Sequence, residues 1–360
     1  MEKLVTPNSS FWSGKRVLLT GHTGFKGAWT TLWLEKLGAK VFGLALEPIT
    51  DPALWNLLGR PLGDASIADI RDRQAVQQVF DAAQPEILIH MAAQALVHPS
   101  FERPAETFEV NVMGLANVLD AARNTATVRA IVNVTSDKCY ENREQIWSYR
   151  ETDPMGGSDP YSASKGCAEL LTTSYRRSFF NKAGGARLAS ARAGNVIGGG
   201  DWSADRLVPD CVRAFQVGEV LKIRNPLATR PWQHVLEPIS GYLLLAEALY
   251  EDHPGMAEGW NFGPPDSDVW TVERVANHLT KGWGASATWQ CDEKHWPKES
   301  MLLRVDATKA RVRLNWNSRL NVAEALDWSL DWYKAVARGE SAREVTLRQL
   351  SEYEARETAT

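Results

Sequence analysis

The stretch Val17-Leu-Leu-Thr-Gly21-His-Thr-Gly24-Phe-Lys-Gly27 constrains the rest of the chain most strongly. Apolar, β-leaning residues run into three glycines spaced three apart, and an apolar helical pattern follows as far as Leu37. A strand that turns sharply into a helix needs glycine where φ is positive or where the backbone lies close to another group. The helix then begins with unpaired N–H groups and the positive end of its dipole, which suits a pyrophosphate. Three glycines alone are a weak signal. Between a strand and a helix, this near the start of the chain, they are a good signal for a bound dinucleotide.

The strand-helix alternation continues. Strands are predicted over 40–46, in part of 66–72, and over 86–91, 130–135 and 187–192, mostly as near-continuous apolar runs. Helices are predicted up to Ala83, over 104–123, and from Pro160, N-capped by Asp159, to about Asn181. A short segment over 55–58 lies between proline-rich loops. Apolar strands alternating with helices call for an α/β fold of the Rossmann type, a doubly wound parallel sheet covered on both faces. Ligands of such sheets sit beyond the carboxyl ends of the strands. That rule gathers residues 21–27, 69–70, 91–94, 136–138 and Asn195 along one edge. Beyond Gly194 the texture changes to glycine, proline and tryptophan with shorter elements. The expected division is a dinucleotide-binding domain over 1–190, completed by a segment near 231–258, and a smaller α/β substrate-binding domain over most of 191–360. The last twenty or so residues form a charged, helix-like tail with no functional signal.

Composition removes several classes. A net charge of −4 and a pI near 6.0, with no dense basic block, give no electrostatic case for nucleic acid. No apolar run reaches the roughly 18 residues of a membrane span, and the polar first dozen residues lack a secretory signal. Cys139, Cys167, Cys211 and Cys291 are far apart and have no companion histidines at zinc spacing, so no metal site is expected. Four reduced thiols in a cytoplasmic protein is the reading. Ten of the 15 tryptophans follow residue 200, and most are expected as core filler.

Tyr161-Ser-Ala-Ser-Lys165 places a phenol and an ammonium four apart, on one face of a helix. A tyrosine with a pKa near 10 is a poor base at neutral pH. A lysine ammonium and an oxidised nicotinamide ring nearby would favour the phenolate, which can then take a proton from an alcohol as hydride leaves its carbon.

With the glycine turn upstream, this pair resembles the extended short-chain dehydrogenase/reductase family over nearly the whole chain. His90-Met-Ala-Ala-Gln94 is similar to that family's loop after the fourth strand, and Asn111-Val-Met-Gly114 to a helix motif whose asparagine is structural. Asp69-Ile70 matches the pair that lies against adenine. The resemblance implies NAD, held by Gly21, Thr23, Gly24, Phe25, Lys26 and Gly27, by Asp69 and Ile70, and by Ala92, Ala93 and Gln94. Tyr161 and Lys165 stand at its reacting end. His22 and Lys26 either lean on the pyrophosphate or face solvent. Ala45 stands where an acidic residue usually grips the adenosine ribose, which implies weakly held NAD; no basic residue in 44–51 offers a grip for NADP.

Members of the family mostly act on nucleotide sugars, and the residues after the fifth strand separate their reactions. Here they read Thr135-Ser-Asp-Lys138. A 4-epimerase needs only a hydroxyl beside the tyrosine. A 4,6-dehydratase also needs a base for the C5 proton and an acid for the departing C6 hydroxyl. Ser136 can hold O4, Asp137 can be the acid and Lys138 the base, provided burial and neighbours move their pKa values. The best-known dehydratases have glutamate where Lys138 stands. The glycine turn taken with Thr135-Ser-Asp-Lys-Cys-Tyr-Glu-Asn142 resembles the CDP-glucose 4,6-dehydratases, lyases of deoxysugar and lipopolysaccharide biosynthesis. Asp137-Lys138 argues against an epimerase, the glycine turn against a C5-inverting dehydratase, and Tyr161 with Lys165 against a non-catalytic regulator. On the substrate side, Asn195 of Arg192-Ala-Gly-Asn-Val-Ile-Gly198 matches a nucleotide-phosphate contact. Arg230 and Arg304 are the candidate phosphate arginines. The family also implies a homodimer or homotetramer, paired through the helices that begin at Pro104 and Pro160.

Overall fold

The computed structural model describes residues 5–60, 62–182, 184–292 and 300–356. Seven strands form its central sheet: β1 (Arg16–Thr20), β2 (Lys40–Ala45), β3 (Ala65–Ile67), β4 (Ile87–His90), β5 (Ala130–Val134), β6 (Arg187–Ala193) and β7 (Gly259–Phe262). They lie in the order β7-β6-β5-β4-β1-β2-β3, and every neighbouring pair is parallel. The chain reverses its direction of travel across the sheet between β1 and β4. A doubly wound sheet opens its ligand crevice at that point.

The apolar runs are explained by burial on both faces. Val17, Leu19, Ile87, Ile89, Ala130 and Val132 enter one core with Trp29, Leu32 and Trp33 of the helix Phe25–Lys36. Leu18, Leu88, Ile131 and Leu188 point the other way, into a second core with the helices Arg73–Ala83, Leu115–Asn124 and Pro160–Ser178. Most of the tryptophans are core: Trp12, Trp29, Trp33, Trp55, Trp260, Trp316 and Trp332 are fully buried, and Trp232 and Trp270 nearly so.

Three local expectations change. The helix predicted over 104–123 is Pro104–Phe108, a π-helical stretch Glu109–Gly114, and Leu115–Asn124. π turns inside helices accompany functional positions, and here the wider turn carries buried Asn111. Its side chain accepts from Gln94 N (2.8 Å) and donates to Gln94 O (3.0 Å) and Ser164 Oγ (2.8 Å). The helix after Asp159 stops at Ser178, and Phe180 turns into the core. The short segment over 55–58 is the helix Leu54–Leu57.

Beyond β6 the chain builds a smaller lobe. It holds the helices Leu207–Gln216 and Val272–Trp283, a parallel strand pair Leu221–Ile223 with Trp289–Cys291, and an antiparallel pair Thr229–Arg230 with Trp270–Thr271. Between these pieces the helix Leu236–Tyr250 returns to the sheet, with 13 of its residues buried. The charged tail is the helix Ala342–Ala355, docked on the helix Phe25–Lys36. Trp33 Nε1 donates to Glu354 Oε1 (2.8 Å) and Arg343 pairs with Glu35 (3.1 Å).

Glu237 fastens the return helix to the C-terminal part. Its carboxylate accepts from Arg319 N (2.9 Å), Leu320 N (2.8 Å) and Tyr353 Oη (2.8 Å) with no exposure to solvent. Glu237→Ala orphans the Arg319 and Leu320 N–H groups and leaves the Tyr353 hydroxyl only Ser240 Oγ (3.2 Å); it is expected to cost about 3 kcal/mol in denaturant unfolding, whereas Glu237→Gln keeps an acceptor and costs less. Burial pushes the Glu237 carboxyl up to about 7 from an ordinary 4.5. The folded state therefore holds this proton to higher pH than the unfolded chain. The stability it contributes is full below pH 4.5, falls as pH rises to 7 and is level beyond. Glu237→Gln removes that slope.

Candidate active site

The glycine turn closes on the loop after β4. Gly21 has φ +76°, and a Cβ there would sit 2.8 Å from Ala92 N. A Cβ on Gly27 would sit 2.1 Å from Gly21 O. Gly24 caps the helix Phe25–Lys36 with no side-chain hydrogen bond, so nothing from the cap covers its first N–H groups. Thr20 Oγ1 holds the facing loop by accepting from Met91 N and Ala92 N, both at 3.1 Å. A cleft of about 760 Å³ opens here. A backbone cradle that a Cβ would fill, at an uncovered helix start, fits a dinucleotide pyrophosphate. Thr23, Phe25 and Lys26 line the same cleft.

His22 neither reaches this cradle nor faces solvent. It is wholly buried, edge-on to Trp55 at 4.7 Å, in space that a side chain at Gly43 would occupy. Burial pushes it down to about 4, so it is a neutral packing residue. Lys26 points inward, with Nζ 5.8 Å from the Tyr242 ring. Burial, then the charges of Arg206 and Lys165, pulls it down to about 7, against the opposing charge of Asp137.

At the end of the cleft beside β2 and β3, Ala45 closes β2, and Asp69, Ile70, Ala92, Ala93 and Gln94 lie on the wall. The Asp69 carboxylate is held by Arg71 at 2.6 Å, and that hydrogen bond keeps its pKa below the usual range. Glu47, beyond Ala45, is bonded to Arg60 (3.2 Å). Gln94 is fixed at its backbone by Asn111 and through Oε1, which accepts from Leu96 N (2.6 Å).

At the opposite end five residues converge. Asp159 caps the helix Pro160–Ser178 by accepting from Ser162 N (2.9 Å), and that helix carries Tyr161 and Lys165, both buried on the cleft wall. Lys165 Nζ is 6.0 Å from the Tyr161 ring centre. Burial pushes the Tyr161 phenol up to about 12, while a hydrogen bond with Ser136 and the charge of Arg206 oppose the rise. Burial lowers Lys165 to about 8. Ser136 Oγ donates to Asp137 Oδ1 (3.1 Å) and accepts from Lys138 N (3.2 Å). Asp137 is 3 % exposed and its Oδ2 has no partner. Burial pushes its pKa up, the state a proton donor needs. Lys138 is half-buried beside it on the same wall.

Asn195 and Arg230 also line the cleft. Arg304 does not: its segment is bridged to Tyr149, whose N donates to Arg304 O (2.9 Å), and its side chain is not on the cleft wall. Arg206, the residue before the helix Leu207–Gln216, is not among the residues the sequence singles out. It lies on the wall, held by Asp201 at 3.5 Å. Also missed was the buried pair Glu169–Arg192 (2.8 Å), for which Glu169, four residues past Lys165, was the available signal. Among the described residues no cluster of metal-binding side chains occurs, and no helix is long and apolar enough to cross a membrane.

A seven-stranded parallel sheet, a glycine turn at its switch point and a buried tyrosine and lysine one helical turn apart define an extended short-chain dehydrogenase/reductase. Within that class the chain belongs to the GDP-mannose 4,6 dehydratase family, whose model matches residues 18–327. It is 48 % identical to the CDP-glucose 4,6-dehydratase of Salmonella typhimurium over 351 residues, 96 % of this chain and 98 % of that one. A probable dTDP-glucose 4,6-dehydratase of Sinorhizobium fredii is 24 % identical over 88 % of this chain and 92 % of its own. Among solved structures, the fold matches a Thermus thermophilus UDP-glucose 4-epimerase in complex with NAD, with a TM-score of 0.76 and 23 % identity over 90 % of this chain and 99 % of that one. A Bacillus anthracis dTDP-glucose 4,6-dehydratase in complex with NAD matches with a TM-score of 0.74 and 18 % identity, covering 92 % and 100 %.

Proposed function

We propose that this protein removes water from CDP-glucose to give CDP-4-dehydro-6-deoxy-D-glucose, with NAD as an internal redox cofactor. The observation that carries the reading is Asp137, buried with one oxygen unpartnered, beside Lys138 on the wall that also holds Tyr161. The 48 % identical relative supports the choice of nucleotide. Ser136 holds the sugar O4, and Tyr161 takes the O4 proton, its phenolate favoured by Lys165 and Arg206. NAD bound here would supply the hydride acceptor for C4 and the hydride donor for C6. With C4 a carbonyl, the C5 proton is acidic, and Lys138 removes it. The C6–O bond then breaks, and Asp137 gives its proton to the departing hydroxide, which leaves as water. Lys138 returns its proton to C5 once C6 is reduced. The proton gained by Tyr161 and the one lost by Asp137 balance through solvent.

The glycine turn, Asp69, Ile70, Ala92, Ala93 and Gln94 hold the cofactor, and Asn195 and Arg230 the substrate diphosphate. The ribose grip lacks a carboxylate at Ala45, which makes NAD binding weak. Residues 1–190 with the return helix and β7 make up the cofactor side, and most of the remainder is the substrate side. CDP-glucose labelled with deuterium at C4 tests the reaction: the label is expected at C6 of the product. Its appearance in water, or its retention at C4, contradicts the mechanism.

In the same reading the enzyme is a cytoplasmic homodimer or homotetramer whose product feeds deoxysugar and lipopolysaccharide synthesis. Support for pairing comes from Met113 and Leu170, 59 % and 63 % exposed on the helical stretches Glu109–Gly114 and Pro160–Ser178. Glutamate at both positions is expected to halve the sedimenting mass, and an unchanged mass contradicts this interface.

A further inference from the structure

Beneath the cleft lies a polar network that the reaction itself does not use. Glu169 and Arg192 form a two-pronged ion pair: Arg192 Nε donates to Oε1 (2.9 Å) and Nη2 to Oε2 (2.8 Å), with both residues under 5 % exposed. Glu169 Oε1 also accepts from Thr135 Oγ1 (2.5 Å), and Oε2 from Ser190 Oγ (2.7 Å). Arg192 Nη1 donates to Tyr140 Oη (2.7 Å), which donates in turn to Asn261 Oδ1 on β7 (2.7 Å). Asn261 Nδ2 closes the chain on Tyr149 O (2.9 Å) and Asp306 O (3.2 Å).

The places these bonds reach are specific. Thr135 is the residue before Ser136, and Tyr140 is two past Lys138. Both ends of the loop with Ser136, Asp137 and Lys138 are therefore tied to one ion pair. Glu169 is four residues past Lys165 and eight past Tyr161, on the same face of the tyrosine helix. A buried ion pair is weak evidence for stability, because desolvation offsets much of the attraction. Its use as a device that fixes register is the better-attested one.

The geometry points to Glu169 and Arg192 as positioning residues that hold the elimination loop in register with the hydride-transfer helix, Thr135 setting the Ser136 end and Tyr140 the Lys138 end. This rests on the roles proposed above for Ser136, Asp137, Lys138 and Tyr161. The two ends serve different steps. Loosening the Tyr140 end displaces the base for C5, and loosening the Thr135 end displaces the hydroxyl that holds O4. An ångström of misplacement is enough to slow a step by an order of magnitude or more.

The test uses the full-length protein with NAD and CDP-glucose, reading cofactor reduction in a single turnover, steady-state product formation and the melting temperature. Tyr140→Phe is expected to reduce the cofactor at the parent rate, to form product about tenfold more slowly with KM within twofold, and to accumulate reduced cofactor. Thr135→Val is expected to slow reduction itself about tenfold without accumulation, and Thr135→Ser to restore it. Glu169→Gln slows both steps; if it fails to fold, the other two variants carry the test. Parent behaviour in Tyr140→Phe and Thr135→Val, or equal slowing of both steps in each, overturns the inference. Lys138→Met separates the two failures. If it still eliminates water, the assigned roles are wrong; if it does not while Tyr140→Phe behaves as the parent, only the positioning role is lost.

Discussion

Lys138→Met is expected to reduce the bound cofactor on adding CDP-glucose and then stop, with product formation down by about a thousandfold. Methionine keeps the length and apolar stem of lysine but has no group to accept the C5 proton. In the proposed mechanism oxidation at C4 depends on Ser136, Tyr161 and Lys165, which the substitution leaves in place. Rapid-mixing absorbance of the reduced cofactor, followed by product analysis, checks both halves. Reduction with no product places Lys138 in the elimination. Full turnover removes it from the mechanism.

Tyr161→Phe is expected to fail earlier. Without the phenol nothing takes the O4 proton as hydride leaves C4, so cofactor reduction and product formation fall together, by about a thousandfold or more. The fold should survive, because Tyr161 is anchored through its backbone N to Ser100 Oγ (3.2 Å) and by its place in the helix. In the parent, burial lowers Lys165 to about 8. Below that pH its ammonium supports the phenolate, and above it that support is withdrawn. Cofactor reduction is therefore expected to rise with pH as the phenol ionises and to level or turn down above pH 8. A measured rate that climbs unbroken through pH 9 contradicts this role for Lys165.

The residues that could be read from sequence are those whose signal is local. The glycine turn, the Tyr161–Lys165 spacing and the buried strand runs each lie within a dozen residues and reflect one constraint, either close backbone approach, a helical turn or burial on both faces. β7 escaped because Gly259–Phe262 is too short to carry a period and is followed by a glycine and two prolines. His22 sits between the first two glycines of the turn, yet its ring packs against Trp55, a contact across 33 positions that no local pattern reports. Arg304 has the right chemistry for a phosphate but lies on a segment held at Tyr149. The Glu169–Arg192 pair joins a helix to a strand across the sheet. In sequence nothing links the two, which stand 23 positions apart. The charged tail likewise shows no purpose until Glu354 meets Trp33.

In the proposed mechanism the loop from Ser136 to Lys138 makes this oxidoreductase fold a dehydratase of a cytidine nucleotide sugar. The most direct measurement is the product mass after incubation of the purified protein with NAD and, separately, CDP-glucose, dTDP-glucose, UDP-N-acetylglucosamine and GDP-mannose. Loss of one water from CDP-glucose, and from none of the others, is the result predicted here. Loss of water from another sugar nucleotide instead contradicts the substrate, and an unchanged mass in all four contradicts the dehydratase itself.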